Sequence, residues 1–292
     1  MLKRKFGWTG AEVPMIGMGT WMIEGDNRDR DRDPDTERRA VEALRLGLDL
    51  GLTHIDTAEM YADGRAEELV AEAIDGRRDQ VFLVSKVRPS NASYEGTLKA
   101  CERSLKRLKT DWLDLYLLHW PSSSYPIGET MRAMEKLVAD GIVTFIGVSN
   151  FDIEKLKAAE RALSKQRIAC NQVQYNLKYR GIERRLLPYC TEQGIAVVGY
   201  SPFGHGNFPS SESPQAKVLT DIARRHGRTP RQVALNFLTR HPSTFTIPKA
   251  GRPEHVRENS GGVGDWKLTE NDFAAIDRAF PAPRRDKPLE MI

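Results

Sequence analysis

Two hydrophobic patterns alternate along the chain. Short, nearly continuous apolar runs, "MIGMGTW", "LTHIDTA", "VFLVSKV", "LDLYLLHW", "FIGVSN", "NQVQYN", "AVVGYSP" and "FTIPKA", are separated by longer stretches with apolar residues at helical spacing. Runs that are continuous rather than alternating suit parallel strands covered on both faces, since neither side of such a sheet meets water. In the first helical stretch Val41, Leu44 and Leu48 recur at i, i+3 and i+7, which predicts one apolar face. Gly51, Gly141 and Gly194 each stand between a helical stretch and the next run, where a left-handed C-cap is expected. Thr229, Pro230 and Gln232 supply an N-cap, a first-turn proline and a capping-box partner for "TPRQVALNFLTRH". The stretch "SPQAKVLTDIARRHG" precedes it, so the last unit is expected to carry two helices.

Eight strand–helix units with no linker between them predict an α/β fold, a closed (β/α)8 TIM barrel forming a single domain over residues 1–292. An open doubly wound sheet is the alternative, and the lack of G-x-G-x-x-G after any run argues against its dinucleotide-binding form. Composition adds exclusions. Apolar residues make up 40% and charged residues 29% of the chain, and no run approaches the ~18 apolar residues of a membrane span. The opening "MLKRKFGWTGAEVP" is basic but has no apolar core of a secretory signal, so a cytoplasmic protein with no membrane partner is expected. Cys101, Cys170 and Cys190 are widely spaced and odd in number, which suits buried thiols better than disulfides or zinc. A net charge of +4, with both signs interspersed, gives no basic face for nucleic acid. The charge run "EGDNRDRDRDPD" (24–35) reads as a solvated loop.

In a barrel, chemistry belongs at the C-terminal ends of the strands. There the chain places Asp56 with Tyr61 just beyond it, Lys86 in "VSKV" and His119 in "LLHW", one strand–helix unit apart at each step. Each has an ordinary reading alone: a turn cap, a snorkelling lysine, a satisfied core histidine. Together at one depth they would be several independent burials of costly groups, so convergence at one rim is expected.

The motifs "GTW", "IDTAEMY", "SKV", "LLHWP", "GVSNF", "NQVQYN", "YSPFG" and "IPKA…PEHVREN" resemble the aldo-keto reductase family across nearly the whole chain. The resemblance implies a barrel closed at the bottom by an N-terminal β-hairpin, "LKRKFGWTGAEVP", and a catalytic tetrad of Asp56, Tyr61, Lys86 and His119. It implies reduction of an aldehyde or ketone by hydride from NADPH, with NADH as the lesser option and the carbonyl compound as small-molecule partner. Tyr61 would act as general acid, and a nearby Lys86 ammonium, held charged by Asp56, would lower the phenol's pKa from its ordinary ~10. His119 would orient the carbonyl as a neutral donor or help relay the proton. On the cofactor side the resemblance puts Gly19, Thr20 and Trp21 with Asp56; Ser149, Asn150 and Gln172 on the nicotinamide carboxamide; Tyr200 on its ring. It also puts Ser201, Pro202 and Phe203 on the pyrophosphate, Lys249 on the adenosine 2′-phosphate, and Glu258 and Asn259 near the adenine.

One departure falls here: many members follow that lysine with serine and carry arginine six residues after it, where this chain has Ala250 and His255. Lys249 is kept and Arg252 is placed to substitute, so NADPH remains favoured, because a cation beside the ribose suits a phosphate. Trp21 and Trp120 are expected to wall an apolar pocket left fairly open by the tail "PAPRRDKPLEMI". "IDTAEMYADG" and "AFPAP" look like bacterial relatives that reduce small aldehydes and 2-oxoaldehydes such as methylglyoxal, and the resemblance implies a monomer. Two other readings are a metal-dependent barrel hydrolase built on His54, Asp56, Lys86 and His119, and a non-catalytic cofactor-binding regulatory subunit. The first leaves Tyr61 and the "GVSN", "NQVQ" and "YSPFG" matches without roles, and the intact tetrad speaks against the second.

Overall fold

The computed structural model describes residues 1–23, 25, 33–249 and 251–292, so most of the 24–35 charge run and Ala250 lie outside the described residues. Eight parallel strands form a cylinder in chain order. They are β3 (Met18–Gly19), β4 (His54–Asp56), β5 (Phe82–Val87), β6 (Leu113–Leu118), β7 (Val143–Ser149), β8 (Ile168–Gln174), β9 (Ala196–Tyr200) and β10 (Thr244–Ile247). Each overlaps one of the quoted runs, β7, β8 and β10 starting up to three residues before theirs. The sheet closes where the ends meet, through parallel bridges Ile16 to Thr246 and Gly19 to Lys249. Gly19 permits that closure, because a Cβ there would lie 2.7 Å from the Ile247 carbonyl oxygen.

The N-terminal hairpin joins β1 (Lys3–Lys5) to β2 (Glu12–Pro14), antiparallel with Lys3 opposite Pro14. Its Phe6 is fully buried between the rings of Phe82 and Phe245, at 5.2 and 4.9 Å between centroids. Phe82 opens β5 and Phe245 lies near the start of β10, so Phe6 plugs the barrel at the N-terminal end of its strands. Above it, Val84, Leu117 and Val198 fill the interior. Side chains alternate along a strand, so the next inward position after Val84 is Lys86 and after Leu117 is His119. The alternation that packs the interior thus delivers polar groups to its upper rim.

Helices cover the outside: α1 (Pro34–Asp49), α2 (Arg65–Ala73), α3 (Tyr94–Leu108), α4 (Ile127–Ala139), α5 (Ile153–Ala162) and α6 (Leu186–Glu192) follow β3 to β8 in turn. Val41, Leu44 and Leu48 form the buried face of α1. Gly51, Gly141 and Gly194 all take left-handed φ values, 83°, 74° and 69°. The two helices expected in one unit, α7 (Pro214–His226) and α8 (Pro230–Leu238), lie between β9 and β10, and α8 has the full capping box. α9 (Pro253–Ser260) and α10 (Glu270–Ala279) complete the coat, and no described helix is long and apolar enough to cross a membrane.

Candidate active site

Asp56 ends β4, Lys86 lies one residue before the end of β5, and His119 follows β6 directly. Tyr61 begins a tight turn, Tyr61–Gly64, reached from β4 through segment 57–60. Parallel pairing of β4, β5 and β6 sets the three strand ends side by side. The four side chains meet. Lys86 Nζ donates to Asp56 Oδ1 at 2.6 Å, to the Thr57 carbonyl at 2.8 Å and to the Tyr61 hydroxyl at 3.2 Å. The Tyr61 hydroxyl lies 3.5 Å from His119 Nε2, and the two rings meet edge to face. Asp56 Oδ2 accepts from Gln172 Nε2 at 2.7 Å, so both carboxylate oxygens are bonded.

Burial is the larger influence on this ion pair. It pushes the Asp56 carboxyl above and the Lys86 ammonium below their usual ranges, while their mutual attraction pulls each back. His119 is held well below its ordinary value, first by burial and then by the Lys86 charge, so the ring is neutral near pH 7. Tyr61 corrects an expectation: burial, with the Asp56 charge added, holds the phenol well above its ordinary value rather than below it. Desolvation is the larger cause and the Asp56 charge adds to it, even with the Lys86 ammonium 3.2 Å from the hydroxyl. The resting phenol therefore keeps its proton, and a strongly basic oxygen must be present before it gives the proton up.

A cavity of about 380 Å³ opens beside these groups, walled among others by Trp21, Tyr61, His119, Asn150, Tyr200 and Lys249. Gly19, Asp56, Ser149, Gln172, Ser201 and Phe203 share its lining. Buried Thr20 stands behind it, its hydroxyl donating to the Asp56 carbonyl at 2.9 Å. On the far wall Asn150, in the left-handed region at φ 65°, donates to the His119 carbonyl and to Ser149 Oγ, both at 3.1 Å. Its Oδ1 accepts from the Tyr200 hydroxyl at 2.9 Å. The amides of Asn150 and Gln172 are therefore engaged with other residues of the site.

Trp120 corrects a second expectation. It stacks flat on His119, at 4.1 Å between centroids, and is not among the described residues that line the cavity. β6 ends at Leu118, so no strand alternation sets the direction of Trp120, and its ring packs on the His119 face instead. Pro202 lines a neighbouring hollow instead of this one, with Phe203 common to both. Sequence reasoning missed Met22, His205, Ile247 and Ile292 on the wall. His205 stacks on Trp21 at 4.7 Å, and Ile292 brings the tail onto a pocket expected to be fairly open. Neither contact has a local sequence signal, because each joins segments far apart in the chain.

A second hollow of about 530 Å³ shares Phe203 and Lys249 with the first and extends to the start of α9, where Arg252, His255, Glu258 and Asn259 line it with Arg231. Arg252 caps α9 without a side-chain bond to it, and Pro253 opens the helix, so the α9 N-terminus lies beside the hollow with its first turn uncapped by a side chain. Glu258 is tied to α8 by the Thr229 hydroxyl at 2.7 Å. The connected groove thus offers amides and an aromatic ring at one end, and cations with a helix N-terminus at the other. That donor set fits a dinucleotide carrying an additional phosphate. Among the described residues no three His, Cys, Asp or Glu groups converge as metal ligands.

A closed parallel barrel with a buried Asp–Lys pair touching a phenol at its C-terminal rim defines a barrel enzyme with acid–base chemistry at its mouth. The chain belongs to the aldo/keto reductase family, whose model matches residues 15–280, and is an oxidoreductase. It is 43% identical over 282 residues to methylglyoxal reductase YeaE of Escherichia coli (strain K12), covering 97% of this chain and 96% of that one. It is 34% identical over 270 residues to glyoxal reductase of Bacillus subtilis (strain 168), covering 92% and 89%. Among solved structures, an aldo/keto reductase from Klebsiella pneumoniae in complex with NADP and acetate aligns over 100% of both chains, with TM-score 0.90 and 42% identity.

Proposed function

We propose that this protein reduces small aldehydes and 2-oxoaldehydes to alcohols with NADPH, using Tyr61 as the proton donor. The observation that carries the reading is the Tyr61 hydroxyl, placed between Lys86 Nζ at 3.2 Å and His119 Nε2 at 3.5 Å on a cavity wall. Bound reduced nicotinamide would supply the hydride. Every other requirement falls to the chain. Hydride addition builds negative charge on the carbonyl oxygen, which must lie where a donor can reach it. Tyr61 gives its proton to that oxygen, because an alkoxide is far more basic than a phenolate. Lys86 stabilises the phenolate left behind, and Asp56 keeps Lys86 charged and aimed. His119, neutral, holds the carbonyl oxygen near the phenol through Nε2, while the Asn150 carbonyl and Tyr200 hydroxyl keep the opposite wall in place.

Asn150, Ser149 and Gln172 would meet the carboxamide and Tyr200 the nicotinamide ring. Lys249, with Arg252 in place of an arginine at position 255, would meet the 2′-phosphate. The NADP and NADPH complexes of structures 42% identical to this chain support the cofactor, and the two 2-oxoaldehyde-reducing relatives support the substrate class. A cavity of about 380 Å³, shared between nicotinamide and substrate, suits a small carbonyl compound. A cytoplasmic location belongs to the same reading, supported by three free, buried cysteines that suit a reducing compartment, and a monomeric state belongs to it as what the family resemblance implies.

Consumption of NADPH, followed at the reduced-nicotinamide absorbance with methylglyoxal and an aldehyde panel, tests the proposal. Turnover with alcohol as product is expected; tight NADPH binding without turnover across the panel would favour a non-catalytic cofactor-binding protein. Lys249→Ala should weaken NADPH binding while leaving NADH almost unaffected, and equal losses for both would reject the phosphate contact.

A further inference from the structure

The segment that carries Tyr61 away from β4 contains a buried carboxylate that the chemistry above does not use. Glu59 is 5% exposed, and its oxygens point into the turn that follows β5. Oε1 accepts from the Arg88 N–H at 2.9 Å and from Asn91 Nδ2 at 3.0 Å; Oε2 accepts from Asn91 Nδ2 at 3.0 Å and pairs with Arg103 at 3.5 Å. Main-chain bonds run along the same seam, from Thr57 N–H to the Val84 carbonyl at 2.9 Å and from Glu59 N–H to the Lys86 carbonyl at 3.4 Å. Glu59 thus grips the chain on both sides of Val87: its N–H holds the carbonyl of Lys86, and its side chain holds the N–H of Arg88.

A second observation shows why a grip is needed. The turn that starts at Tyr61 runs through Ala62 at φ 47° and Asp63 at φ 51° before Gly64. Residues with a Cβ adopt this left-handed conformation only where their surroundings over-determine it. Helix α2 fixes the turn's far end, and the Glu59 contacts fix the near end. Slack at the near end would move Tyr61 first, because it is the first residue of the turn. Its phenol faces Lys86 from β5, Asp56 from β4, His119 from the end of β6 and Tyr200 from β9.

We infer that Glu59 is a positioning residue for the reduction: it locks the loop bearing the phenol onto the strand bearing the ammonium and so sets the Tyr61–Lys86 separation. The inference rests on Tyr61 being the acid. Glu59→Ala and Glu59→Gln, alone and combined with Tyr61→Phe, test it through kcat, KM for the aldehyde, NADPH affinity by fluorescence and the pH profile. Glu59→Ala should lower kcat on the order of 10²-fold, the effect of misplacing a reacting group by about an ångström, with NADPH affinity and KM nearly unchanged. The alkaline limb of its kcat profile should move to higher pH, because a phenol drawn away from the ammonium holds its proton more tightly. Glu59→Gln keeps an acceptor for the Arg88 N–H and should recover most of the loss. In the Tyr61→Phe background Glu59→Ala should add no further loss, since nothing remains to be positioned.

Multiplicative losses in the double variant, or wild-type kcat with an unmoved limb in Glu59→Ala, overturn the inference and leave the assignment of Tyr61 standing. Full turnover in Tyr61→Phe alone overturns both. Should Glu59→Ala fail to fold, Asn91→Ala, which removes two of the side-chain bonds, should show a smaller kcat loss with the same direction of pH shift; no shift would overturn the inference.

Discussion

Two carboxylates are held in the fold by opposite balances. Asp56 lies where burial outweighs its bonds, and only its partners Lys86 and Gln172 keep the charge tolerable. At Glu183 burial also works against the charge, but bonds from Arg180 at 2.7 Å, Tyr175 at 2.6 Å and Arg240 at 2.8 Å overcome it and hold the carboxyl at about 2. Because the folded value lies below the ordinary 4.5, this group's stabilisation is present above about pH 4.5 and is lost as the pH falls towards 2. For a side chain 12% exposed, that difference corresponds to about 3 kcal/mol at neutral pH. Urea unfolding of Glu183→Gln should show a loss of that order at pH 7 and a flatter decline between pH 5 and pH 2 than the parent; parallel curves would contradict the assignment. The rim residues could be picked out in the sequence because each is a charged or polar group at the end of an apolar run. The sign of the Tyr61 shift could not, because it depends first on how deeply the phenol is buried and then on how near Asp56 lies, and both are matters of tertiary packing.

Most strands were legible because cover on both faces leaves a largely apolar run, although β8 carries Asn171, Gln172 and Gln174; the helix ends were legible because their caps use few residue types. The contacts of Trp21 with His205 and of Ile292 with the cavity wall left no trace, since packing between distant loops has no period. Trp120 was misplaced because its ring packs on His119, a contact made beyond the end of β6 where no strand period applies. The best-marked element, α8, joins stability to the groove: Thr229 accepts from Gln232 N–H at 3.2 Å and donates to Glu258 of α9 at 2.7 Å. Thr229→Ala should destabilise the protein by about 1 kcal/mol in urea unfolding, the usual value of an N-cap. It should also weaken NADPH binding, because α9 loses a tether beside the second hollow. Lost stability with unchanged NADPH affinity would separate the two roles.

The molecule as a whole assigns stability and chemistry to opposite ends of one cylinder. Phe6 closes the lower end against Phe82, Phe245 and the buried ring of His54, whereas the upper end collects the groups that touch the cavity. Phe6→Ala should therefore cost about 3–5 kcal/mol of unfolding free energy, as for other buried aromatic deletions. Its kcat at a temperature where the variant stays folded should match the parent, and a large kcat loss would mean that the two ends are coupled. The account depends above all on a phenol at the barrel's mouth surrendering its proton to substrate oxygen. Single-turnover reduction of methylglyoxal by Tyr61→Phe, with NADPH affinity measured on the same preparation, tests this most directly. The hydride-transfer rate should fall ~10²–10⁴-fold while NADPH binds as tightly as in the parent. A variant that transfers hydride at the parental rate, or that loses only substrate affinity, would contradict it.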